Sequence, residues 1–334
     1  MRRLLLAATV ILVASSATAQ QNAPAFDLPI DCKFGENCDL MLFVDHDGSK
    51  GWQDYRCGNL SYDNHKGTDI RLRSIDLMLR GVDVLAAADG RVVQVRRGMA
   101  DVSHKAVGRD VITRRGLGNV VILDHGRGWR TIYAHLKRHS IRVAKGQQIK
   151  AGQTLGQVGM SGLAQNPHLH FGVLHRNRVV DPFTGGTTAN KCGTSGKSLW
   201  APRARTKLRY PNALILGAGF SDSAKFNRVA LVYGLDLKGE MYRKAPNFIF
   251  AVDFGGVRKG DDYELSILSP DGKTLAESKR KISQVTQFKF DFVGRKGHGR
   301  TWPKGTYKGR FALYRNVSGV RLKILETERT IQVR

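Results

Sequence analysis

The sequence contains no C-x-x-C pair, no G-x-S-x-G turn and no H-E-x-x-H signature anywhere in its 334 residues. The first absence argues against a cysteine-rich metal site, the second against a serine hydrolase of the nucleophile-elbow kind, and the third against a zincin. Acidic residues are scarce, with 28 Asp and Glu against 54 Lys and Arg and a formal charge of +26. Such a surplus favours anionic partners. After residue 14 no apolar run approaches the roughly 20 residues that a membrane-spanning helix needs. Cysteine is limited to Cys32, Cys38, Cys57 and Cys192, and none follows. Apolar residues make up 41% and charged residues 25%, which fits a soluble globular protein and excludes a fibre or a disordered chain.

The N-terminus explains part of this. Arg2 and Arg3 precede an apolar run over residues 4–14, and Ala17-Thr18-Ala19 supplies small residues at −3 and −1 of a cleavage site. This predicts a secretory signal over residues 1–19, removed on export, with no stable membrane span afterwards. A periplasmic or cell-envelope location is expected, with an extracellular one as the alternative. An even number of cysteines in an oxidising compartment predicts two disulfides, and three pairings are open. Processing leaves 52 basic and 28 acidic residues. Outside the cytoplasm a basic surface points to anionic envelope polymers or outer-leaflet lipids rather than to nucleic acid.

At this length two domains are expected. Residues 20–60 lack periodicity. From 65 to 183 the chain is dense in short β-type runs (82–87, 91–96, 119–124, 130–135, 169–174) separated by Gly-containing turns. No long amphipathic helix is apparent; 74–80 is at most a turn or two. The stretch 96–117 is a long basic insert, read as one wall of a substrate groove. Periodicity is lost over 184–210, which places a boundary near 205, and strand-like runs return at 248–254, 263–268, 286–292, 306–314 and 330–333. The expectation is all-β: an antiparallel β-sheet groove over 20–204 with its core at 60–183, then a small immunoglobulin-like β-sandwich over 205–334. The second part is the more basic, with 26 basic and 12 acidic residues.

Three segments carry chemistry. In His65-Lys66-Gly67-Thr68-Asp69, imidazole and carboxylate converge if the backbone bends at Gly67, and both suit Zn²⁺. In His168-Leu169-His170 the two imidazoles project from one strand face while Leu169 packs behind. In Tyr133-Ala134-His135-Leu136, strict alternation places Tyr133 and His135 on a common face. Two histidines and one carboxylate form a three-ligand set that leaves a position for water, the pattern of a catalytic zinc site.

The order H-x-G-x-D, then Y-A-H-L, then H-L-H-F resembles the lysostaphin/LytM-type zinc endopeptidases of bacterial peptidoglycan. The resemblance extends over roughly residues 60–183, through 82–93, 118–126 and the glycine turns of 145–156. It implies a duplicated-hybrid-motif-like β groove, zinc ligands at His65, Asp69 and His170, and non-ligand active-site histidines at His135 and His168, jointly assigned. It also implies hydrolysis of peptide bonds in stem peptides or cross-links. The alternatives are a non-hydrolytic wall-binding or regulatory module of the same fold, and a bacteriolytic protease aimed at other bacteria.

Overall fold

The computed structural model describes residues 23–104, 115–188, 191–193 and 196–334. The expected signal segment and residues 105–114 of the basic insert lie outside the described residues. The architecture is nearly all β. The first sheet has the strand order β1-β2-β9-β6-β5-β4-β7, and β10 adds to β9. These strands are β1 (Cys38–Leu42), β2 (Thr68–Leu72), β4 (Gly90–Arg96), β5 (Asn119–Asp124), β6 (Trp129–Leu136), β7 (Gln148–Ile149), β9 (His168–His175) and β10 (Arg178–Val180). Every pairing in it is antiparallel. A separate ladder joins β3 (Asp83–Leu85) to β8 (Thr154–Gln157).

Valine, isoleucine and leucine alternate along these strands, so one face of each can be buried. On β9, Leu169, Phe171 and Val173 point into a core with Ile70, Leu72, Tyr133 and Trp200. Their neighbours His168 and His170 occupy the opposite face. Six of the eight β9 residues are nonetheless buried, so that face is covered too. A short helix, α1 (Ile75–Arg80), follows β2. Ser74 Oγ accepts from the Leu77 N–H at 3.2 Å to cap its start. Gly81, at φ +93°, closes its end by donating to Leu77 and Met78.

Strand β1 lies inside the stretch expected to be irregular. Its sequence, Cys-Asp-Leu-Met-Leu, is too short to show a period, and it exists because β2 offers an edge. The disulfides are Cys32–Cys38 and Cys57–Cys192. The second closes a long loop and ties the 45–65 segment to the end of this region, limiting the unfolded chain more than the short one does.

Helix α2 (Pro202–Arg205) precedes a two-sheet sandwich. One sheet is β11-β13-β16 and the other is β12-β18-β17-β14-β15. The strands are β11 (Leu214–Ser221), β12 (Glu240–Met241), β13 (Asn247–Gly255), β14 (Asp262–Leu268), β15 (Thr274–Lys281), β16 (Phe288–Lys296), β17 (Gly305–Val317) and β18 (Val320–Val333). Phe248, Phe250 and Phe254 from one sheet meet Tyr263, Tyr307 and Phe311 from the other. Strand β15 was missed by pattern, because its Thr-Leu-Ala-Glu-Ser-Lys-Arg-Lys run sits at an exposed edge and needs few apolar residues. Leu214 and Leu216 of β11 pack into the core of the first sheet, so the sandwich is seated on it. Between β11 and β12 lies α3 (Arg228–Tyr233), capped by Asn227 Oδ1, which accepts from the Ala230 N–H. No described helix is long and apolar enough to cross a membrane.

Candidate metal centre

His65 enters from the loop before β2, Asp69 from β2, and His170 from β9. Asp69 and His170 are direct cross-strand partners, so their side chains leave the same face of the sheet. Their donor atoms converge. His65 Nε2 lies 3.2 Å from Asp69 Oδ1 and 3.2 Å from His170 Nδ1, and His170 Nδ1 lies 2.9 Å from Asp69 Oδ1. All three residues are buried, and among the described residues they are the group able to hold a metal ion.

This donor set fits a divalent cation on two grounds. First, a tetrahedral ion with arms of roughly 2.0–2.1 Å has ligand–ligand edges of about 3.4 Å, close to the spacings found. Second, His65 Nδ1 is 2.6 Å from the Phe43 carbonyl, which can only accept, so that nitrogen carries the proton and Nε2 presents its lone pair to the centre. A carboxylate oxygen and two ring nitrogens held this close need a shared positive charge. Burial pushes the Asp69 carboxyl up, but the surrounding His65, His168 and His170 rings outweigh it and hold the group well below the usual carboxylate range.

The backbone bends at Gly67 as expected, and the position has a second reason to be glycine. A Cβ there would lie 2.7 Å from both Cε1 and Nε2 of His170 and 2.8 Å from the Phe171 carbonyl oxygen. The residue is small because the ligand imidazole lies directly against its backbone. Tyr62 stacks on His65 with ring centroids 4.3 Å apart, closing the other side.

His135 and His168 stand beside this triad, their ring centroids 4.6 Å apart. Both are pinned in the same way: Nδ1 of His135 donates to the Ser161 carbonyl at 2.7 Å, and Nδ1 of His168 donates to the Asn166 carbonyl at 2.8 Å. That leaves Nε2 of each able to transfer a proton or bond a ligand, with His168 Nε2 3.9 Å from Asp69 Oδ2. Burial, reinforced by the neighbouring His168 and His170 rings, holds His135 well below the ordinary histidine value. Burial likewise lowers His168, with Asp69 pulling against it. Both therefore stay neutral where a solvent-exposed histidine would begin to charge.

The shared face expected for Tyr133 and His135 is corrected by the structure. Tyr133 pairs with Phe171 and turns into the core, where its hydroxyl accepts from the Ala87 N–H. Alternation would send His135 the same way. Instead β6 bulges against β5, and His135 takes a left-handed φ of +60°, which swings its ring to the His168 side. Bulges re-aim side chains in this way, at some backbone cost. Three further histidines have structural partners: half-buried His125 bonds the Asp89 carbonyl and Thr131, half-buried His175 stacks on Trp129, and buried His46 pairs with Asp181.

The carbonyls of Phe43, Ser161 and Asn166 were invisible in the sequence, because a backbone acceptor has no residue signature. The sequence also gave no sign that α3 and the start of β16 reach this place. A cavity of about 480 Å³ lies beside the triad, lined by Asp69 and His168 on one side and by Arg228, Tyr233, Gln287 and Phe288 on the other. Ser103 and His104, at the near end of the basic insert, also line it.

The sequence profile of Peptidase family M23 matches residues 63–182. Over 117 residues the chain is 35% identical to peptidoglycan DD-endopeptidase ShyB of Vibrio cholerae, a match covering 35% of this chain and 22% of that one. Over 102 residues it is 33% identical to murein hydrolase activator EnvC of Escherichia coli, covering 30% and 20% respectively. A crystal structure of a zinc-containing peptidase from Vibrio cholerae aligns with 48% of this chain and 39% of its own, at 27% identity and a TM-score of 0.32. The chain thus spans only about a fifth of the length of these curated relatives. The segment matched by the Peptidase family M23 profile, residues 63–182, contains all five residues of the centre.

Proposed function

We propose that this protein is an exported zinc-dependent endopeptidase that hydrolyses peptide bonds in the stem peptides or cross-links of bacterial peptidoglycan. The observation that carries the reading is the convergence of three metal-ligating atoms within 3.2 Å of one another beside two histidines pinned through Nδ1. His65 Nε2, Asp69 Oδ1 and His170 Nδ1 would hold the ion. When bound, zinc lowers the pKa of a water towards ~7 and polarises a carbonyl oxygen. The chain's own part is proton handling: one of His135 and His168 takes the proton of the attacking water at Nε2, and the other donates to the oxygen that gains negative charge. Their suppressed charging keeps a base available near neutrality. The similarity to ShyB supports peptidoglycan as the substrate. Export is supported by the pattern of residues 1–19 and by two disulfides. Two domains with a boundary near 205 remain our division of the chain. The immunoglobulin-like reading of the second rests on its strand order and on the parallel pairing of β12 with β18.

The test is mass spectrometry of peptidoglycan digested by the zinc-loaded protein and by its chelated form. New peptide termini that depend on metal are expected; intact peptidoglycan in both would sink the reading. A regulatory role is the second reading, favoured by the similarity to EnvC. It predicts no cleavage by the protein alone but faster cleavage by a separate wall hydrolase.

A further inference from the structure

We propose that Arg228 of α3, on the C-terminal sandwich, is the subsite for a free carboxylate carried by the peptide substrate, at the seam beside the metal centre. The inference rests on the peptidase reading and names what the substrate must carry. Arg228 is the sole Lys or Arg among the described residues lining the cavity that also holds Asp69 and His168. Its guanidinium is held on two sides: Nε donates to Asp253 Oδ2 at 2.9 Å, and the group lies 5.3 Å from the centre of the Phe288 ring. Among the described residues only Nε is engaged, so the two Nη groups remain as a fixed fork. Such a fork matches the two oxygens of a carboxylate, where an ammonium would offer only a point charge.

The charge balance behind it points to an anion. Arg71 lies two residues beyond Asp69 on the same face of β2, directly across from His168. It is buried, 3% exposed, and its Nε and Nη1 have no hydrogen-bond partner. Two carboxylates act on it. Asp39 is taken by Arg73, which donates to both its oxygens at 2.8 and 2.9 Å. Asp253 is taken by Arg228, and its other oxygen, Oδ1, has no partner. Three guanidiniums thus face two carboxylates. A buried unmatched charge is costly, and unspent donors add to the cost. An anion in the cavity offsets both, drawn to Arg228, the member of the cluster that lines the cavity and whose side chain is 33% exposed.

The rest of the wall suits a peptide. Gln165 offers an amide that matches a main chain, Gln287 keeps its amide oxygen while its nitrogen donates to the Ser61 carbonyl, and Val232 with Leu163 offers apolar surface. The sandwich is therefore part of the substrate site, and its seating through Leu214 and Leu216 sets the distance from carboxylate to scissile bond.

The test uses two cross-linked peptides identical except that a free carboxylate in one is a carboxamide in the other, given to the zinc-loaded full-length protein. One charge-assisted contact at a partly exposed site predicts about a tenfold lower KM for the acid. In R228Q the two KM values should converge to within about twofold, and R228K should keep part of the preference because it keeps the charge but not the fork. Equal KM values in the wild-type protein would overturn the assignment and leave the peptidase reading intact. If neither peptide is cut, the peptidase reading fails. Calorimetric titration with the same pair then decides the subsite: about tenfold tighter binding of the acid supports it, and equal binding overturns it. The wild-type arms stand even if R228Q does not fold.

Discussion

The two β regions bury polar groups in opposite ways. In the sandwich, buried charges are matched within the fold: Arg315 donates to both oxygens of Asp261, and Asp291 accepts from Tyr263 and pairs with Arg280. In the first sheet, His65, Asp69 and His170 turn lone pairs towards one another, and His135 and His168 are pinned through Nδ1. A matched buried pair is a structural element, and converging buried acceptors demand something from outside the chain. The seam, where Arg71 and Asp253 keep unpartnered atoms, follows the second pattern although half of it belongs to the sandwich.

The sharpest way to break this contrast is to remove a converging acceptor. His170→Ala is expected to lower zinc affinity by more than about 100-fold, beyond what loss of an outer-shell partner costs, and to abolish turnover. Metal content by mass spectrometry and peptide release measure the two effects. His168→Ala should keep its metal and lose about 10²–10⁴-fold in kcat, the usual span for a proton-transfer residue. Unchanged turnover would take His168 out of the mechanism.

The matched pair should behave in reverse. Arg315→Ala strands Asp261 and should cost about 3–5 kcal/mol of stability in denaturant titration, while zinc content stays at the wild-type level. Loss of zinc in that variant would erase the distinction between the regions. Ser74→Ala, which removes the cap of α1, is expected to cost only about 1 kcal/mol and to leave turnover alone.

The smallest effect concerns a histidine of the first sheet outside the centre. Burial holds His125 below its ordinary value, against the pull of the Asp89 carbonyl. The unfolded chain then binds more protons, so the stability this neutral ring preserves is complete above about pH 6.5 and declines as pH falls below it. His125→Gln should flatten that part of the stability profile measured by thermal unfolding. An unchanged slope would assign the titration to another group.

Much of the centre was legible in the chain. Three ligand candidates and two further histidines stand in short motifs, and strand alternation alone sends His168 and His170 to one face with Leu169 behind them. The β character of 82–96 and 119–136 followed from valine and leucine alternating between turns. The misses share a cause. Strand β1 and edge strand β15 gain their hydrogen bonds from neighbours distant in sequence, so local pattern carries little of them. The face of His135 was misread because one bulge residue reverses alternation, and a bulge is set by the partner strand.

The sequence by itself determined the donor types, their order and the β class, because residue chemistry and side-chain period are local properties. It also determined that disulfides were possible, although not which. Only the tertiary structure decided the Cys32–Cys38 and Cys57–Cys192 pairing, the carbonyls that fix each imidazole, and the place of Arg228 beside Asp69. Cys57 and Cys192 are 135 residues apart, and Arg228 reaches Asp69 only through the seating of one sheet on another. The shorter contacts, 22 residues for His65 to Phe43 and 26 for His135 to Ser161, depend on where strands and loops place backbone carbonyls, which no local pattern encodes.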